Sequence, residues 1–419
     1  MSALESLISD LREVCAGLPD RRQGPREKCL YAMADIGMSA FSLFFMGSPS
    51  FLAHQRVLAR GHGRSNCQTL FGMSAIPSDN YIRAMLDGAE PATFDGVFYD
   101  ALATLAAADA LERFLRVDGR VLIALDGTEY FASRKIHCAC CSTRRRSDGG
   151  TEYFHSFLGA SVVAPGHAQV LPLPPEFIVP QDGAEKQDCE RSAVKRWVAK
   201  HGPAMAPYRP IYLGDDLFAC QPVAAAIQAA GGNFILTCKP SSHPTITEYL
   251  IGVELEEHRV TLVQPGKRAT HVYRWLAGVP MRDSKDAITV NWFSVEIFNA
   301  KGKRTYYNSF LTDLPVSADT VAELAACGRA RWKIENETFN VLKTNGDNLE
   351  HNPHGELVEP RPRQEGPRQR PRRPQPIGLR LPYRLPALRP RLAQRHGRLG
   401  RPIPLLRAPA ILHRLVHFR

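Results

Sequence analysis

Three carboxylates occupy positions from which they could do chemistry together. Asp126 closes the apolar run Val121-Leu122-Ile123-Ala124-Leu125, Asp215 closes Ile211-Tyr212-Leu213-Gly214, and Glu335 lies in a helical stretch, Arg331-Trp332-Lys333-Ile334-Glu335. Singly, each has an ordinary reading: an Asp before Gly after a strand is a turn residue, and a Glu in a helix is a solvated face. The combination points further, because intervals of 89 and 120 residues mean that only folding can bring the three together. Grouped carboxylates repel one another unless cations fill the space between them. Hard divalent cations take oxygen ligands, and two of them about 4 Å apart activate the attacking oxygen and stabilise the leaving one in phosphodiester cleavage. Two Mg²⁺ ions, or Mn²⁺, are the cofactors such a set would take.

The elements around these residues read as follows. Residues 1–118 are helical in pattern, with Leu4, Leu7, Ile8 and Leu11 at helical spacing and a similar stretch from Phe98 to Leu115. Between Ser65 and Leu86 the sequence outlines a short helix, a turn at Ile76-Pro77-Ser78, and a second helix opened by Ser78 or Asp79. That is the outline of a DNA-binding helix-turn-helix, although two helices joined by a turn are ordinary in any helical domain. From Arg120 the pattern changes to the continuous apolar run of a buried strand. Strand-like runs at Phe157–Val163, Val170–Leu173, Pro210–Leu213 and Phe234–Cys238 then alternate with helical ones at Lys186–Lys200 and Pro222–Ala230. This predicts an α/β domain over 119–352, a mixed sheet flanked by helices. A β-rich insertion over about 255–313 interrupts it before a long last helix, opened by Ser317 or Asp319 and running to about Thr344. Gly127, directly after Asp126, is expected to permit a tight turn.

Three segments carry a family resemblance. Ala124-Leu125-Asp126-Gly127-Thr128, Tyr212-Leu213-Gly214-Asp215-Asp216 and Arg329-Ala330-Arg331-Trp332-Lys333-Ile334-Glu335-Asn336, with Lys343-Thr344, resemble the three catalytic motifs of DDE transposases in the group of bacterial insertion sequences numbered four and its unclassified relatives. The resemblance covers about residues 100–352, and the β-rich block before the Glu is similar to that group as well. It implies an RNase H-like fold and a transposase that binds double-stranded DNA at element ends and in the target, cuts it, and joins the strands, as a homodimer on DNA. It also implies that Asp126, Asp215 and Glu335 are the metal ligands, with Asp216 an alternative for the second position.

Arg331, one helical turn before Glu335, would hold a DNA phosphate. Lys343, eight residues beyond Glu335, falls roughly 80° round an ideal helix and would reach the same DNA only from the flank. Two features depart from the group: Gly328 stands where a tyrosine is usual, and the interval from Glu335 to Lys343 is one residue longer. A non-catalytic DNA-binding remnant and an RNase H-like nuclease unrelated to transposition are the competing readings.

A hairpin rich in cysteine and arginine follows the Asp126 run. Cys138 and Cys141 have the spacing of half a zinc site, which His155 and Cys189 would complete; the alternative is a simple Cys-rich hairpin. Arg144, Arg145 and Arg146 are either a solvated loop or contacts to the DNA backbone.

Composition adds bounds. With 44% apolar residues the chain can bury a sizeable core. No run reaches the roughly eighteen apolar residues of a membrane span, and the start reads as a polar amphipathic helix rather than a signal peptide. The ten cysteines are therefore expected as reduced thiols in the cytoplasm, at the nucleoid. The net charge of +11 is concentrated in the tail: residues 353–419 hold 16 Arg, no Lys and 3 Glu, so the rest of the chain is slightly acidic. With 13 Pro in those 67 residues, the tail resists helix and strand. It reads either as a disordered basic arm or as a shifted reading frame near Asn352. Codons can be chosen for Pro404–Ala410 that, moved by one base, spell Arg-Phe-Phe-Glu-His-Leu.

Overall fold

The computed structural model describes residues 3–46, 48, 51–59, 66–180, 188–264, 267–344 and 349. The Arg- and Pro-rich tail lies outside the described residues.

The N-terminal part is helical. Helices α1 (Ala3–Ala16), α2 (Met33–Phe45), α3 (Phe51–Ala59) and α4 (Asp79–Leu86) surround a core of Leu11, Ile36, Phe41, Phe71 and Leu86. Asp35, buried on α2, accepts hydrogen bonds from Arg12 and from the Ser74 hydroxyl, so its charge is compensated inside the core. The short helix at 66–69 and α4 follow the expected order, but residues 70–78 separate them. A helix-turn-helix uses a turn of about 3–4 residues, so this pair is a looser arrangement. Helix α5 (Asp95–Ala107) faces two ways: Val97, Phe98 and Ala101 join the helical core, while Leu102 packs with the sheet.

The remainder is a mixed α/β structure: a ten-stranded sheet with helices packed on both of its faces. Its strands are β1 (Leu122–Ser133), β2 (Ser142–Arg145), β3 (Thr151–Val163), β4 (Leu171–Ile178), β5 (Ile211–Gly214), β6 (Asn233–Thr237), β7 (Glu256–Gln264), β8 (Lys267–Pro280), β9 (Thr289–Asn299) and β10 (Arg304–Thr312). The order is β2-β3-β1-β5-β6-β10-β9-β8-β7, with β4 also paired to β3. β1 is antiparallel to β3 and parallel to β5, and β5 is parallel to β6. The β-rich block does not stand apart: β10 pairs antiparallel with β6, and β7 to β10 continue the sheet as a meander.

The apolar run before Asp126 is explained by its place. β1 is central, so alternate side chains enter opposite cores. Ile123 and Leu125 meet α6 (Glu190–Met205) and α7 (Gln221–Ala229) through Val194, Trp197, Val198 and Ile227. Leu122 and Ala124 meet α9 (Val321–Arg329) through Val321, Leu324 and Ala325; α8 (Pro244–Tyr249) is a short helix after β6. Trp197 is fully buried, and its indole N–H donates to the Pro174 carbonyl at 2.7 Å, so the bulkiest core residue leaves no polar atom unmet.

The long last helix expected from Ser317 to Thr344 is in fact three pieces. α9 ends at Arg329, a turn follows at Ala330 and Arg331, residues Ile334–Phe339 form a π-helix, and α10 (Asn340–Thr344) resumes the α pattern.

Candidate active site

The three carboxylates meet. Asp126, Asp215 and Glu335 line one cavity of about 310 Å³ together with Gly127, Thr128, Arg331, Phe339, Asn340 and Lys343. Asp126 is delivered by β1, Asp215 by the residue directly after β5, and Glu335 by the first turn of the π-helix. Because β1 and β5 are adjacent and parallel, with Ala124 opposite Leu213, Asp126 and Asp215, each two residues further on, arrive side by side.

Asp126 is not at a strand end. It pairs with Gly159 in the middle of β1, and the strand continues to Ser133. The expected tight turn at Gly127 is absent, since Gly127 pairs with Leu158 in regular register. The glycine is needed for space: a Cβ there would lie 2.3 Å from Glu190 Cδ. Gly159 serves the opposite strand in the same way, because a Cβ there would fall 2.5 Å from a ring carbon of Phe339. The π-helix thus rests on the part of β3 that faces Asp126.

Arg331 Nη1 donates to Asp126 Oδ2 at 2.9 Å, and its guanidinium also lies over the exposed Trp332 ring. Burial pushes the Asp126 carboxyl up to about 6; Arg331 opposes that rise, and the charges of Asp215 and Glu335 add to it. A second carboxyl is raised more. Glu190 reaches about 7, through burial first and then the negative charges of Asp126, Asp215 and Glu129. Glu190 was not singled out by sequence, where an acidic residue in a helix's first turn reads as compensation for the helix dipole. The signal that was available is Glu190 opening a helix two residues after Asp188.

Between the two candidates for the second position, the geometry favours Asp215. Asp216 Oδ1 accepts from the Lys239 amide at 2.6 Å and lies 3.1 Å from His243 Nε2, tying together the loops after β5 and β6. Asp215 uses Oδ1 for the Leu217 amide at 2.9 Å and lines the cavity.

Lys343 corrects the helical arithmetic. Eight residues at 100° leave it about 80° from Glu335, but a π-turn closes i to i+5 and takes up one extra residue. Seven residues' worth of rotation returns it to within about 20°, and Lys343 lines the same cavity as Glu335. The interval that is one residue too long is thereby absorbed. Gly328 also has a local reason: a Cβ there would lie 2.7 Å from the Phe310 ring and 3.1 Å from Ile235, so α9 packs too closely on β10 and β6 for a tyrosine.

The arginine triplet lies on and just beyond β2. Arg144 pairs with Glu129 and Glu152, and Arg146 pairs with Glu152 at 2.7 Å, so these two are ion-paired across the β1–β2–β3 surface. Arg145 alternates to the other side and is exposed.

Of the four residues weighed for zinc, three converge: Cys138, Cys141 and His155. Cys189 does not join them. It is the exposed N-cap of α6, with its sulfur 3.6 Å from the Ser192 hydroxyl.

The donor set suits a hard divalent cation, because Asp126, Asp215 and Glu335 offer oxygen ligands around one cavity and burial resists the ionisation of Asp126 without a compensating charge. No helix among the described residues is long and apolar enough to cross a membrane. No known protein family and no curated protein matches this chain.

Proposed function

We propose that this chain is a DDE-type transposase, an RNase H-like enzyme that cuts DNA at the ends of its own transposable element and joins the freed 3′-hydroxyl to target DNA. The observation that carries this reading is the convergence of Asp126, Asp215 and Glu335 on one cavity from three distant parts of the chain. It is supported by the mixed sheet flanked by helices, the β-rich block before the last helical segment, and the three motif resemblances.

Mg²⁺ or Mn²⁺ held by Asp126, Asp215 and Glu335 would activate the attacking oxygen and stabilise the leaving one. The chain's own groups do the positioning. Arg331 and Lys343 bring two cationic heads to the same cavity wall, where charge-assisted hydrogen bonds hold a phosphate without reading sequence. Arg145, exposed on β2, is a separate cation available to the DNA backbone. Double-stranded DNA is the partner, a homodimer on DNA the working assembly, and the cytoplasmic nucleoid the place of action.

The test is a nicking assay on supercoiled plasmid carrying the DNA that flanks this reading frame. Divalent-ion-dependent nicks at those flanks are expected, with a loss of at least about 100-fold in Asp126→Asn. Wild-type rates from Asp126→Asn would refute the role of Asp126. Specific binding without nicking under Mn²⁺ would make the chain a non-catalytic DNA-binding relic, and cutting without preference for the flanks would make it a general nuclease.

A further inference from the structure

The connection between β1 and β2 folds back so that two sulfurs and one imidazole nitrogen face a common point. Cys138 Sγ and Cys141 Sγ are 3.8 Å apart, and His155 Nε2 lies 3.4 Å from the first and 3.3 Å from the second. Tetrahedral zinc, with Zn–S of ~2.3 Å and Zn–N of ~2.0 Å, separates its ligands by about 3.8 Å (S to S) and about 3.5 Å (S to N). The three spacings match that template.

We propose that Cys138, Cys141 and His155 bind one zinc ion, which staples the β1–β2 connection to β3. Two thiolates and an imidazole form a soft donor set that selects zinc over magnesium, so this centre is chemically distinct from the carboxylate cavity. The set is held ready. His155 is buried on β3, stacked with Tyr130 at 5.7 Å and tilted against Phe131 at 5.5 Å, which fixes the ring plane and turns Nε2 to the sulfurs. The Cys138 amide donates to Cys141 Sγ at 3.3 Å, which holds the two cysteines together on one turn. The fourth position falls to water or, after rotation of its side chain, to Cys140 on the same turn.

The staple has a structural consequence. Residues 134–141 form neither helix nor strand, and their start is held by the Ser133 hydroxyl, which accepts from the Lys135 and Ile136 amides. Tying their other end to His155 fixes β2 and its arginines beside Glu129, on the strand that carries Asp126.

The experiment uses the full chain, freed of loosely bound metal, and does not depend on catalytic activity. Elemental analysis should find about one zinc per chain, most of it lost in Cys138→Ser and retained in Cys189→Ser. Since a ligand variant can fail to fold, the wild-type chain is also stripped and titrated with Co²⁺. A thiolate-to-cobalt charge-transfer band should saturate near one equivalent and disappear on adding Zn²⁺ but not Mg²⁺. A wild-type chain without that band, or a Cys189→Ser variant that loses it as fully as Cys138→Ser, would overturn the assignment.

Discussion

The Arg331 guanidinium donates to the Asp126 carboxylate at 2.9 Å, joining the turn after α9 to the central strand of the sheet. Both side chains are largely buried, so the pair serves as internal charge compensation for the acidic cavity rather than as a surface ion pair. Arg331→Ala should therefore lower the stability of the protein in EDTA by about 3 kcal/mol, the usual cost of leaving a buried charge unpaired. Added Mg²⁺ should raise the melting temperature of this variant more than that of the wild type. Equal shifts for both, measured by thermal unfolding, would show that Arg331 carries no such role.

Glu190 sets a pH dependence. Its folded-state carboxyl is raised to about 7 by burial and by Asp126, Asp215 and Glu129, and Asp126 is raised to about 6. The folded protein therefore binds more protons than the unfolded chain between the ordinary carboxylate range and about pH 7, so stability falls as pH rises through that window. Glu190→Gln should flatten the fall and gain on the order of 1–2 kcal/mol above pH 7 in EDTA, allowing for solvent screening. Urea midpoints across that window check this; an unchanged slope would exclude Glu190 as its source.

Gly159 seats the π-helix. Replacing it with Ala puts a methyl 2.5 Å from the Phe339 ring, which must move and carry Glu335 with it. Gly159→Ala should cost about 1–3 kcal/mol through overpacking and reduce nicking far more than DNA binding. If nicking at wild-type rates survives with that loss of stability, Phe339 does not position Glu335.

The sheet and the triad were readable in sequence because their causes are local. β1 is apolar on every residue up to Leu125 because it is buried on both faces, and Asp126 breaks that run where the cavity begins. What depended on register or on departures from ideal geometry was hidden. The pairing of Arg144 with Glu129 and Glu152 needs the β1–β3–β2 alignment. Glu190 approaches Asp126 only because Gly127 leaves room above mid-strand. Lys343 departs from its place on an ideal helix because the period of 3.6 residues fails across Ile334–Phe339.

That failure is itself testable. If the π-turn absorbs one surplus residue, deleting the exposed Asn336 should convert it to α-helix while Glu335 and Lys343 keep a common face. The shortened chain should melt within a few degrees of the wild type and nick DNA within roughly tenfold of it. Unfolding, or loss of nicking as deep as in Asp126→Asn, would show that the π-turn is required in its own right.

The most direct measurement is the Mn²⁺-binding isotherm of the zinc-loaded chain, taken by calorimetry for the wild type and for Asp126→Asn, Asp215→Asn, Asp216→Asn and Glu335→Gln. Two ions should bind the wild type and Asp216→Asn, while the other three variants lose affinity at least about tenfold. Wild-type isotherms from Asp126→Asn, Asp215→Asn and Glu335→Gln alike would contradict the shared metal centre.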